Sequence, residues 1–238
     1  MDRNKILAPA LNLVGKGGLR VDEQIPSSYL LCICLSNAIL LCCAAFSGVV
    51  GFPARGAGSP IIGRGVKLRC KKKIYLGRKV RMLDGVYIDA LSSEGVRLGD
   101  CCLLGRGCRI ECTGSIRHIG RGIAIGRDST FGAGCYFGAA GGITVGDDVM
   151  AGQNIRFHAE NHVMSDVSRP IREQGVTHRG ITIGNDCWIG AGAVFLDGAN
   201  VGKGCVVAAN AVVTCGDWPA YSVLGGVPAK VLKSRMED

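Results

Sequence analysis

Residues 183–212 read IGNDCW IGAGAV FLDGAN VGKGCV VAANAV, one six-residue phrase spoken five times without a break. Each copy opens on a bulky apolar residue (Ile183, Ile189, Phe195, Val201, Val207) and carries a small one four places on (Cys187, Ala193, Ala199, Cys205, Ala211). On an α-helix a spacing of six rotates successive large residues by about 600°, so they spiral around the axis and form no apolar stripe. In a coil of short strands the spacing is productive, because one flat side ends and the next begins every six residues and each bulky residue points to the axis. Three hexads then close one triangular turn, and hexapeptide periodicity of this kind marks a parallel β-helix. Gly184, Gly190 and Gly202 follow the large residue and suit a corner, where backbone at positive φ is expected.

Looser copies extend the pattern upstream. They open at Ile62, Leu76, Met82, Leu98, Leu104, Ile110, Ile119, Ile125, Phe131, Val145 and Ala151. The coil is expected over residues 60–215, with one interruption, preceded by a lead-in at 1–59 and followed by a cap at 216–238. Because a solenoid touches itself only from rung to rung, its two ends need covering.

Composition agrees with one solenoid plus appendages. Glycine is frequent at 37 of 238 residues, and hydrophobic residues make up 47% with no low-complexity run, which excludes a disordered chain. Of the thirteen cysteines, Cys102, Cys108, Cys135, Cys187 and Cys205 fall in the small position of a hexad, where a thiol is a compact apolar filler. No CxxC pair suggests zinc, and a reducing, cytoplasmic setting fits. The net charge of +9 is uneven. No acid occurs between Glu23 and Asp84, while Arg64, Lys67, Arg69, Lys71, Lys72, Lys73, Arg78, Lys79 and Arg81 crowd together. A solvated edge and an attraction to anionic lipid or a polyanionic substrate are both open for this cluster. Nucleic acid is not expected, for want of an aromatic platform or recognition motif.

Two segments stand outside the hexads. Residues 29–52 carry no charge and would extend about 36 Å as a helix, enough to cross a bilayer core. A membrane-contacting helix and a helix packed over the coil are both open; a secretory signal is not, because the stretch begins too deep and runs too long. Residues 158–180, HAENHVMSDVSRPIREQGVTHRG, break the period, are polar, and hold three of the four histidines. Long loops within compact domains are usually functional or disordered. After Val213 the period ends, and GGVPAK precedes a stretch, residues 229–236, expected to form a short basic helix.

Taken together, ENH at 160–162, DVSRPIREQGVTHRG from Asp166, IGNDCWIGAGA from Ile183 and the terminal YSVLGGVPAKVLK resemble the hexapeptide-repeat acetyltransferases. The nearest likeness is to the branch of maltose, galactoside and xenobiotic acetyltransferases, and to their relatives that O-acetylate capsule and exopolysaccharide. The resemblance covers about residues 60–235. It implies an all-β, left-handed parallel β-helix, an exception to right-handed crossovers, assembled as a homotrimer with an acetyl-CoA groove between adjacent prisms. It further implies His162 as general base, with Glu160 or Asp166, or a backbone carbonyl, orienting its ring. Trp188 would line the groove beside the thioester, with Gly190, Ala191, Ala208, Ala209 and Thr214 along the pantetheine and Lys230 and Lys233 at the coenzyme phosphates. Transfer from acetyl-CoA to a saccharide hydroxyl in surface polysaccharide synthesis is the activity implied, with no metal. Two positions depart from the family: Cys215 stands where lysine is common, and Trp218-Pro219 where a proline pair is. The alternatives are N-acetylation of an amino sugar, a non-catalytic scaffold, and a gamma-class carbonic anhydrase using His118, His158 and His162.

Overall fold

The computed structural model describes residues 28, 35, 60–114 and 118–236. Almost all regular structure in it is short strand, wound so that three parallel sheets form the faces of a triangular coil. The first face runs from Ile61–Ile62 through Trp188–Ile189 and Val206–Val207 to Ser222–Gly226. The second runs from Lys67–Arg69 through Arg156–His158 and Val194–Leu196 to Val212–Val213. The third runs from Ile74–Leu76 through Ile181–Ile183 to Gly216–Trp218.

The alternation expected of the hexads is the alternation observed. Ile183, Ile189, Phe195, Val201 and Val207 are buried, as are all five small partners. Phe157 stacks on Phe195 with centroids 4.8 Å apart and on Phe137 at 5.0 Å, so aromatic rings follow the axis from rung to rung. The five hexad thiols lie buried in the core, and burial pushes Cys102 up to about 12.

Four expectations are corrected. Gly184, Gly190 and Gly202 are not at positive φ; a Cβ on Gly184 would lie 2.5 Å from the Lys203 nitrogen, and one on Gly202 2.5 Å from that of Ala220. The positive-φ corner falls two residues later, at Asp186, Gly192 and Gly204. Ile119 does not open a hexad: it is exposed on an insertion ahead of Gly122–Ile125, and Ile123 and Ile125 supply the core contacts there. The basic C-terminal segment is not helical. The chain turns at Val227-Pro228, and Ala229–Ser234 returns as a strand antiparallel to Ser222–Gly226, with Lys230 opposite Gly225 and Lys233 opposite Val223. The last strand of the first face would otherwise end in an open row of backbone donors and acceptors. The strand fills that edge, and Arg235 ties it down by donating to the Gly204 carbonyl. The coil itself runs past Cys215, since Val201 pairs with Trp218 and Val207 with Leu224.

The apolar run 29–52, Leu35 apart, lies outside the described residues, and with it the expected N-terminal helix. Among the described residues no helix is long and apolar enough to cross a membrane. Within the basic cluster, Arg64, Arg69 and Arg78 form ion pairs with Asp84, Asp89 and Asp100.

Candidate active site

A turn takes 18 residues where Arg179 bonds Asp197 and 38 where Asp147 bonds Asn185, so one circuit carries a long excursion. The chain leaves the second face after His158 and joins the third at Ile181. Between these points Asn161–His162 pairs antiparallel with Val176–Thr177, Asn161 opposite Thr177 and His162 opposite Val176. The excursion is therefore a hairpin that holds His162, exposed, away from the coil surface.

Its tip and root are braced separately. At the tip the Asp166 carboxylate accepts from the backbone N–H and the hydroxyl of Ser168 (3.0 and 2.6 Å), the Asx turn that D-x-S favours. These bonds hold the Asp166 carboxyl below its ordinary range. Gln174 bridges the two strands, accepting from the Asp166 N–H at 3.0 Å and donating to the Asp166 and Arg169 carbonyls at 2.7 and 2.9 Å. At the root His178 Nε2 lies 2.8 Å from Glu160 Oε2. Next to it the buried Asp197 carboxylate accepts from the N–H groups of Arg179 and Gly180 at 2.8–3.1 Å, fixing the point where the hairpin rejoins the coil. His158, half-buried on the second face, is pushed down by burial and by Arg156. His162 has neither Glu160 nor Asp166 as a partner: both carboxylates are engaged elsewhere.

The residues assigned to the donor gather differently. Trp188 sits on the first face, 56% exposed, in a column with Met150, Val206, Val223 and Lys233. Gly190, Ala191, Ala208 and Ala209 form the corner that follows this face, where bare backbone of one rung lies against the next; the Gly190 N–H bonds Val207 and the Asn210 N–H bonds Ala191. Lys230 and Lys233 reach this edge on the returning strand. Thr214 stands apart from them, at the far edge of the second face, with its carbonyl accepting from Trp218 Nε1 at 3.1 Å. The Trp218 ring packs on the end of the core.

Seven of the eight residues expected to hold the donor thus share one edge of the prism, while the hairpin and His162 leave from the other edge of the second face. Among the described residues no three His, Cys, Asp or Glu side chains come together as a metal-ligand set, and His118, His158 and His162 make none. Reading the sequence did not single out His178 or Asp197. Asp197 was findable, as the one carboxylate at a hexad position that the sister copies fill with Asn185, Ala191, Lys203 and Ala209; the pairing of His178 with Glu160 needed the hairpin register.

Residues 180–215 match the bacterial transferase hexapeptide family (six repeats), and residues 122–155 match the hexapeptide repeat of succinyl-transferase. A probable acetyltransferase of Mycobacterium tuberculosis is 37% identical over 122 residues, 51% of this chain and 38% of the relative. The 2,3,4,5-tetrahydropyridine-2,6-dicarboxylate N-acetyltransferase of Staphylococcus aureus is 53% identical over 57 residues, 24% of this chain and 23% of that one. The chain thus spans well under half the length of these curated relatives. Among solved structures, a hexapeptide-repeat acetyltransferase of Vibrio cholerae complexed with acetyl coenzyme A aligns with a TM-score of 0.50 at 28% identity, over 58% of this chain and 70% of that one. An N-acyltransferase of Bacillus cereus complexed with dTDP and 3-hydroxybutyryl-CoA shares the fold, with a TM-score of 0.52 at 15% identity over 80% and 87% of the two chains. The chain carries the hexapeptide repeats of bacterial transferases, and its likeness is to acetyl- and acyltransferases built on them.

Proposed function

We propose that this protein transfers an acetyl group from acetyl-CoA to a saccharide hydroxyl, within the sugar and surface-polysaccharide O-acetyltransferase branch. The observation that carries the reading is the separation of two half-sites on one prism. A bare-backbone track from Trp188 to Lys233 follows one edge of the second face, and a braced hairpin presents His162 from the other. When three coils associate with their second faces toward one another, the hairpin of one meets the track of its neighbour, and each site is completed by two chains.

The chemistry follows from those groups. A saccharide hydroxyl is a poor nucleophile until a base removes its proton during attack, and a neutral imidazole is suited to that near pH 7. His162 takes the proton as the hydroxyl oxygen attacks the thioester carbonyl, and returns it to the departing coenzyme thiolate. A backbone N–H at a coil corner holds the oxyanion between the two steps. Trp188 covers the inner end of the donor track, and Lys230 and Lys233 offer charge to the coenzyme phosphates. The same reading puts the enzyme on the cytoplasmic side, with the basic cluster 64–81 available to an anionic membrane surface.

His162→Ala is expected to cut acetyl transfer by about 10²- to 10⁴-fold while calorimetric titration shows acetyl-CoA still binding once per chain. Unchanged turnover in that variant removes His162 from the mechanism; loss of acetyl-CoA binding in the unaltered protein removes the whole reading. N-acetylation is a second reading, favoured by the names of the Staphylococcus and Bacillus relatives. A panel of matched hydroxyl and amino sugars separates the two.

A further inference from the structure

The third face carries a trough that the donor and base assignments leave unused. Its outward column runs Tyr75, Arg97, Ala124, Thr144, Thr182, Asn200 and Asp217, each opposite the next across the strands. Between Arg97 and Asn200 the side chains are short, and the surface sinks into a groove of about 120 Å³. Its side wall is the corner that ends at the hairpin root, with Arg121 and Arg179 above it. The strands enter this corner through glycines at positive φ, and Cβ atoms on Gly122 and Gly142 would run into the Gly95 carbonyl and the Arg121 side chain. The floor therefore stays bare.

Charge and shape set the occupant. Arg121 is satisfied by Glu94 at 2.8 Å. The Arg97 guanidinium lies 4.5 Å over the Tyr75 ring, and Arg179 Nη1 donates to Cys215 Sγ at 3.1 Å. Among the described residues neither of these two guanidiniums has an ion-pair partner. A groove lined by three arginines against one carboxylate, with two of the guanidiniums at its ends, favours an anion. The strand that carries Arg97 and the one that Arg179 leads into stand three apart, roughly 14 Å at about 4.8 Å per strand, and the two guanidiniums point outward from there, over Tyr75 and to Cys215, so a ligand that meets both is extended. The hydroxyls of Thr144 and Thr182 between them suit a polyhydroxylated chain. The far wall is one residue from His178 and the hairpin that carries His162.

We infer that this trough binds an acidic saccharide, one bearing carboxylate or phosphate groups along its length, and guides it to the hairpin as the acyl acceptor. The acceptor role rests on the proposed function; the binding site does not.

The test uses the full chain and an oligogalacturonate of defined length, titrated at low and moderate salt beside a neutral dextran oligomer and single-stranded DNA. Oligogalacturonate is expected to bind, more weakly as salt rises, and Arg97→Gln with Arg179→Gln to weaken it by about tenfold or more. Thr144→Asp, which places a carboxylate on the exposed floor, is expected to weaken it likewise, while Arg64→Gln at another corner leaves it unchanged. Acetyl-CoA affinity and the thermal midpoint stay the same in all three. Absence of binding, binding indifferent to both trough variants, or equal binding of dextran overturns the site. Equal, trough-dependent binding of DNA overturns the saccharide assignment. If oligogalacturonate binds through the trough and acetyl-CoA does not bind at all, the transferase reading fails and the site stands.

Discussion

Gly184 is the residue on which the rung spacing turns. A Cβ there would meet the backbone nitrogen of Lys203 and the α-carbon of the same residue, at 2.5 and 2.8 Å, and backbone cannot swing aside as a side chain can. Gly184→Ala is therefore expected to destabilise the fold by about 1–3 kcal/mol, seen as a lower urea midpoint with an unchanged slope at fixed protein concentration. An unchanged midpoint would mean that adjacent rungs part at no cost. The sequence made this glycine visible as a repeated punctuation mark, but its reason lay in the distance between turns, which only the folded coil supplies. His178 was hidden for a similar reason: its partner Glu160 is 18 positions away and comes to it only through the antiparallel pairing of the hairpin.

The corners are elements in their own right, held by carboxylates that reach from one turn to the next. Asp84 accepts from the Arg64 N–H and Asp100 from the Arg78 N–H, both at 2.8 Å. These backbone bonds, reinforced by the two arginine side chains, hold both carboxyls below the ordinary range. A carboxyl whose folded pKa is lowered stabilises the fold above its unfolded value, about 3.9, and that contribution is lost as pH falls through the folded value. The thermal midpoint is thus expected to fall modestly as pH drops through about 6.5, where the lowered His158 resists protonation in the folded state, and to drop further below about 4. Asp84→Asn with Asp100→Asn keeps an oxygen acceptor at each corner but removes the titration, and should shallow that drop; an identical acid limb would show that other groups govern it. At this scale, elements made of hexads were legible and those between them were not. Ile119 satisfied the spacing while lying on an insertion. The basic tail was expected as a helix because Ala229 to Met236 carry no strong strand signal, yet an unfilled sheet edge decides its conformation.

At the scale of the whole molecule, the returning strand Ala229–Ser234 finishes the first face as no internal hexad could. Ending the chain after Gly226 is expected to leave Ser222–Gly226 as an open edge and to drive self-association, read as a concentration-dependent increase in mass by light scattering. A truncated protein that keeps the parent mass at every concentration would show that the edge is protected by other means. The separation of the Trp188 edge, where the proposed donor track runs, from His162 belongs to this scale as well. The residues of both were named from the sequence by resemblance, but only the closed triangle shows that they occupy different edges, and the trough on the third face is spelled by residues spread from Glu94 to Thr182 with no local motif to announce it. Circuits differ in length, 20 residues from Ile61 to Arg81, 22 from there to Leu103, 27 to Thr130 and 18 from Trp188 to Val206, yet every circuit repeats the same three faces. Extra residues are therefore absorbed at the corners while the strands stay in register, and the height of the coil changes only by whole circuits. The coil is in effect a ruler graduated at about 4.8 Å, and evolution or design could shift the basic end one graduation nearer to or farther from the hairpin without altering a contact within the hairpin.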